Sequence, residues 1–293
     1  MTAGAFVRRA PVFTAALVVA GLASAALPSA DTPAGGQEGA RRQTVDRPAV
    51  PTGPAPRLHD GTPDLNGVWT VPYVPDMTLN GRNQRGYAEP PFSPEASRAE
   101  RAESRARGEF AELPFTPAGL ADWSVYDAAE GDYTGSCLPF GLMRAVNAPY
   151  PVQIVQNEQY VALLFETNTW FHVIPIDGRP PPDDPNPTWF GHSVGHWDGD
   201  TLVVDTTGFN GYTRLDTVGH PHSDALHMRQ TFRRVDEGHL AYGVTITDPK
   251  MYTKPWTNER TFTLSSGELI EYSCEENNRS LWEGRIRRWT PPE

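Results

Sequence analysis

The sequence predicts an all-β domain: an antiparallel up-and-down meander closed into a barrel, with one or two short helices before it. Three observations predict it. From Val152 onward, strand-length runs rich in Val, Ile, Phe and Trp follow one another. Short turn sequences separate them, among them Asn157-Glu158, Asp198-Gly199-Asp200, Asp236-Glu237-Gly238 and Ser265-Ser266-Gly267, and leave no room for crossover helices. Finally, a meander of about nine or ten such strands has two edges, and closure hides both.

The elements are justified in chain order. Arg8 and Arg9 precede the apolar run VFTAALVVAGLASAAL, and Ala23-Ser24-Ala25 supplies a small-residue cleavage site, so residues 1–25 read as a secretory signal peptide. Residues 26–62 are rich in Pro, Gly, Ala and charge with almost no large apolar residue; they read as a flexible linker. A single domain follows over 63–293. Its first strand is Asp64–Thr70. Ser93-Pro94 opens a solvated helix reaching about Arg107, with Ser as N-cap and Pro in the first turn, and Thr116-Pro117 caps a second, shorter one. The strands expected next are 152–156, 160–166, 169–176, 190–198, 201–207, 226–234, 240–247, 260–264 and 269–274.

Composition excludes some functions. The formal net charge is −11 and there is no basic stripe, which argues against nucleic acid and against anionic membrane surfaces as partners. The two cysteines, Cys137 and Cys274, are expected to pair in an oxidising compartment, closing a long loop. Past the signal peptide no segment reads as a membrane span, so the mature protein is expected to be periplasmic or extracellular.

Two stretches concentrate chemistry. Residues 191–195, GHSVG, match the G-x-S-x-G pattern of a hydrolase nucleophile elbow. An elbow needs a helix directly after its serine. Here Asp198-Gly199 turns the chain straight back into Thr201–Asp205, which is hairpin chemistry, so Ser193 reads as a strand residue. The same strand places His192 and His196 on one face and Ser193 on the other, while Asp205 in the returning strand needs a partner if buried. The second stretch, Gly219–His227, holds His220, His222, Asp224 and His227. Imidazoles and a carboxylate suit a divalent transition metal, with His192, His222 and His227 as the expected ligands. Without metal, His222, Asp224 and His227 form an expected acid/base set. A plain reading stands beside both: a polar loop whose Ser223 or Asp224 bonds backbone amides. His172, in step with Ile174 and Ile176, reads as an interior histidine. Arg179 after Asp177-Gly178, and Trp256 in an aromatic loop, complete the candidate ligand-binding residues with His192 and Asp205.

Gly67-x-Trp69 resembles the signature that opens lipocalin-like barrels, in which an Arg from the last strand covers the Trp; that resemblance nominates Arg285, Arg287 or Arg288. The stretches PDLNGVW, CLPFGLMR, PYPVQIVQ, DGRPPPDDPNPTWFGHSVGHWDGDTLVVDTTGFN, GHPHSDALHMRQTFRR, TITDPKMYTKPW and EYSCEENN together resemble an uncharacterised family of secreted bacterial β-rich proteins. This resemblance implies export and a shared β-rich domain, and brings no activity. It departs at His196, where Arg is usual in that family, which weakens His196 as a ligand. The leading expectation is an exported barrel that takes a small molecule at its mouth through the His/Asp cluster. The alternatives are a hydrolase, lyase or isomerase using that cluster for acid/base or metal chemistry, and a non-catalytic envelope protein that binds a partner.

Overall fold

In the computed structural model, the described residues are 49–79, 113–128, 132–286 and 288–291. The expected signal peptide and the helix from Ser93 to Arg107 lie outside them. Nine strands form one antiparallel sheet: β1 (Gly67–Thr70), β2 (Val152–Gln156), β3 (Tyr160–Phe165), β4 (Phe171–Pro175), β5 (His192–Asp198), β6 (Thr201–Thr207), β7 (His227–Arg234), β8 (His239–Thr247) and β9 (Trp256–Ser265). Short helices are α1 (Pro117–Val125), α2 (Leu142–Asn147) and α3 (Arg279–Trp282).

The strand order is β4-β3-β2-β1-β9-β8-β7-β6-β5. The first and last strands pair, Trp69 facing Leu264, but the ladder does not close, because β4 and β5 are both edges. The expectation of a closed, lipocalin-like barrel is therefore wrong. The break falls at the connection between β4 and β5, which carries Pro180, Pro181, Pro182, Pro185 and Pro187. Proline has no N–H to give to a ladder, and such a segment cannot form a tight hairpin. The two edges meet through side chains instead. His172 Nε2 lies 2.6 Å from Ser193 Oγ, which lies 2.6 Å from Thr206 Oγ1. Gly195 permits the approach: a Cβ there would stand 3.0 Å from Cγ2 of both Ile174 and Ile176.

Alternation with period two decides which face is inside. Trp69, Ile154, Leu163, Ile174, Leu202, Val204, Phe232, Tyr242 and Phe262 are all buried. Helix α2 fills the concave face. All six of its residues are buried, Met143 Sδ stands 4.0 Å from Tyr242 Oη, and Asn147 Oδ1 accepts from Arg260 Nη1. The expectation of a small molecule held in a barrel mouth thus loses its barrel.

Three further expectations are corrected. Among the described residues, the cation over Trp69 is Arg234 of β7, its guanidinium carbon 5.0 Å from the ring, while Arg285 pairs with Glu283 and Arg287 lies outside the described residues. Residues 269–274 form no strand, because β9 already has β1 and β8 on its two sides and offers no edge. Within the segment read as linker, residues 49–62 lie against the domain: Glu237 N donates to Gly53 O, and Arg57 pairs with Asp200 at 2.7 Å. Cys137 and Cys274 are joined by a disulfide, Cα–Cα 5.5 Å, which ties the segment before α2 to the C-terminal turn. No helix among the described residues is long and apolar enough to cross a membrane.

Candidate functional site: a buried Asp/Asp/His cluster beside a polar cleft

The connection between β6 and β7 folds on itself through an antiparallel bridge between Arg214 and Pro221, with Leu215 N donating to His220 O at 2.9 Å. Asp216 organises the turn inside that bridge. Its Oδ1 accepts from Gly219 N at 3.1 Å and from His220 N at 3.2 Å, the local side-chain-to-backbone pattern that aspartate favours in turns. Its Oδ2 accepts from Met77 N at 2.9 Å and lies 2.6 Å from His220 Nδ1. Asp76 arrives from the segment after β1, its Oδ1 accepting from Thr78 N and Oγ1. Gly219 is required here. Its φ is +88°, and a Cβ would strike the Tyr126 ring at 1.8 Å.

Asp76, Asp216 and His220 are fully buried, and each offers a ligand atom within 4.8 Å of the others. Burial first, and then the neighbouring Asp216 carboxylate, raise the Asp76 pKa, with His220 opposing. Two buried carboxylates side by side need a compensating positive charge, from a proton, an imidazolium or a metal. His220 Nδ1 faces Asp216 Oδ2 at 2.6 Å, so the imidazole and this carboxylate share a proton or a cation between them. The imidazole is boxed by aromatic rings: Trp123 at 5.5 Å, Phe115 at 6.2 Å and Trp256 at 6.4 Å.

The other side of the same loop lines a cleft of about 330 Å³ with Asp122, Tyr126, Asp127, Asp132, Arg214 and His222 among its walls. Arg214 pairs with Asp122 and lies over the Tyr126 ring at 5.0 Å. Burial raises the Asp132 carboxyl, but Arg144 at 2.8 Å and the Tyr126 hydroxyl more than offset this and hold it below the usual range. His222 donates from Nδ1 to Ser223 O at 3.1 Å, which leaves Nε2 to accept from Thr213 Oγ1 at 2.5 Å. Asp248 fixes Ser223 through its N–H and hydroxyl. Burial lowers the His222 pKa, so the ring is neutral at pH 7.

The residues expected from the sequence scatter. His222 lines the cleft. Asp224 is exposed and pairs with Lys250, where the loop leaves the protein surface. His227 stands on the outer face of β7, 2.8 Å from Asp205, which Arg229 also holds. His192 lies 2.8 Å from Asn186 O along the groove at the sheet break, where Arg179 pairs with Asp177. Trp256 is no lid residue; it is buried at the start of β9, in the box around His220. His192, His222 and His227 have separate partners and do not converge, since period-two alternation turns His192 and His227 away from the interior. Among the described residues, the one group of three with metal-ligand spacing is Asp76, Asp216 and His220. Sequence reasoning missed both aspartates. The available signal was Asp216 four residues before His220, and two acids set among apolar neighbours in VPDM and RLDTV. No family model, curated protein or solved structure matches the chain.

Proposed function

We propose that the protein is an exported enzyme of the hydrolase, lyase or isomerase type, with a divalent transition metal at Asp76, Asp216 and His220 and acid/base chemistry in the adjoining cleft. The observation that carries the reading is the convergence of three buried ligand atoms within 4.8 Å of one another. A set of two carboxylates and one imidazole suits zinc or manganese. Bound there, the metal supplies a fixed positive charge between the two carboxylates. The cluster is sealed from solvent, so its effect on the cleft runs through the loop: Asp216 and His220 point inward while Thr213, Arg214 and His222 of the same loop form the wall.

In that wall His222 is the acid/base group. Its Nδ1–H is committed to a carbonyl, its Nε2 lone pair takes a proton from Thr213 or from a substrate hydroxyl in its place, and neutrality at pH 7 leaves it ready to accept. Export is supported by the N-terminal Arg-Arg and apolar run and by the disulfide, which suits an oxidising compartment. The test is elemental analysis of untagged, exported protein. Near-stoichiometric Zn or Mn, lost in Asp216→Asn and His220→Ala, is expected. Metal-free wild-type protein whose melting temperature ignores added ZnCl2 and MnCl2 would overturn the reading.

A further inference from the structure

We infer that the cleft beside the β6–β7 loop is a binding site for a small organic cation, an amine or quaternary ammonium. This deepens the reading of the cleft as the substrate site and does not depend on the metal. Four rings line the cleft, Tyr126, Tyr133, Tyr212 and Trp289. These rings brace one another edge to face, Tyr212 against Trp289 at 5.7 Å and 61°, Tyr133 against Trp289 at 6.4 Å and 69°. A wall so braced offers its π-systems without rearranging. The lining also carries three carboxylates, Asp122, Asp127 and Asp132, of which Asp122 pairs with Arg214 and Asp132 with Arg144.

Aromatic rings together with carboxylates form the environment in which an organic cation gains twice, from the ring quadrupole and from the negative field. The protein already uses the cleft in this way. Arg214 lays its guanidinium 5.0 Å over Tyr126 and pairs with Asp122. A free anion would meet three carboxylates against one lining cation, Arg214, on a chain of net charge −11. A cavity of about 330 Å³ limits the guest to a small molecule. The competing guest is a neutral sugar, which would stack on the same rings but gain nothing from the carboxylate charge.

The experiment titrates the purified full-length mature protein with choline, with 3,3-dimethyl-1-butanol (the neutral isostere of choline) and with cellobiose, read by tryptophan fluorescence and calorimetry. Choline is expected to saturate, with the neutral isostere about tenfold weaker. Asp127→Asn and Tyr212→Leu are each expected to weaken choline several-fold, leaving the far-ultraviolet circular dichroism and melting temperature in place. Equal binding of choline and its isostere overturns the proposal, as does saturation by cellobiose alone or by none of the three. Each titration is run on metal-loaded and EDTA-treated protein. A choline isotherm in both supports the cleft whatever the fate of the metal reading, and absence from both overturns the cleft while leaving the metal to its own test.

Discussion

Acidification tests the sheet break directly. His172 is buried on β4 with Ser193 across the gap, and burial, with His192 nearby, pushes its pKa down from 6.5 to about 4. The unfolded chain takes up a proton on this histidine below pH 6.5, while the native protein refuses it until about pH 4. The unfolded state therefore binds more protons across that window, and native stability falls as pH drops through it. Above pH 6.5 the penalty is absent, and well below pH 4 it stays constant. The drop from 6.5 to about 4, at about 1.4 kcal/mol per unit, gives a loss of about 3.5 kcal/mol from this one group when complete, of which about 3 has developed by pH 4. The assay is urea unfolding at half-unit steps from pH 7 to 4, comparing wild type with His172→Gln, which keeps a hydrogen-bonding group toward Ser193 but cannot charge. Other titrating groups, including His222 and the paired carboxylates, are common to both proteins and cancel in the difference. The wild type is expected to lose about 3 kcal/mol more than the variant over the window. Parallel curves would show that His172 is not a buried neutral base and that the two edges are not held as described.

Two other outcomes follow from the fold. Arg234→Leu removes the cation over Trp69 and the donors to Asp64 O and Glu237 O, and is expected to cost about 2–4 kcal/mol in chemical denaturation, whereas Arg285→Ala should stay within about 0.5 kcal/mol. Cys274→Ser opens a link between residues 137 apart and should cost about 3–5 kcal/mol in the same assay, a loss that reduced wild-type protein should reproduce and the variant should not deepen on reduction.

Much of the sheet was legible because strand periodicity and turn chemistry are local. The hairpin at Asp198-Gly199 forms where the sequence puts it, pairing Trp197 with Leu202, and the strands from β6 to β9 sit within a few residues of their expected limits. Closure was not legible, because it depends on how two distant edges meet. The prolines from Pro180 to Pro187 are visible in the sequence, but nothing local says that a ladder must stop there. The C-terminal run at 269–274 has strand composition, but the strand before it, β9, is already paired on both sides, and composition carries no information about occupied neighbours. Arg234 covers Trp69 because β1 pairs with β9, which carries β8 and β7 beyond it; a signature naming the last strand could not foresee which arginine that register delivers.

The site was half legible for a related reason. Three histidines and an aspartate close together in sequence invited a single cluster, but a chain folded through the Arg214–Pro221 bridge sends successive groups to opposite sides. His220 goes inward to Asp216, and His222 goes outward to Thr213 and the cleft, only two positions later. Asp224 and His227 follow to the surface and to the outer face of β7. Density of ligating residues along the chain is therefore a weak guide wherever the backbone alternates, and the stronger one is a polar residue forced among apolar neighbours. Asp76 and Asp216 meet that condition: each is buried completely, and each carboxylate is held by donors from its own turn. The same loop joins the buried Asp216 and His220 to the cleft wall at Thr213, Arg214 and His222, so Asp216→Asn should displace His222 although it touches nothing in the cleft.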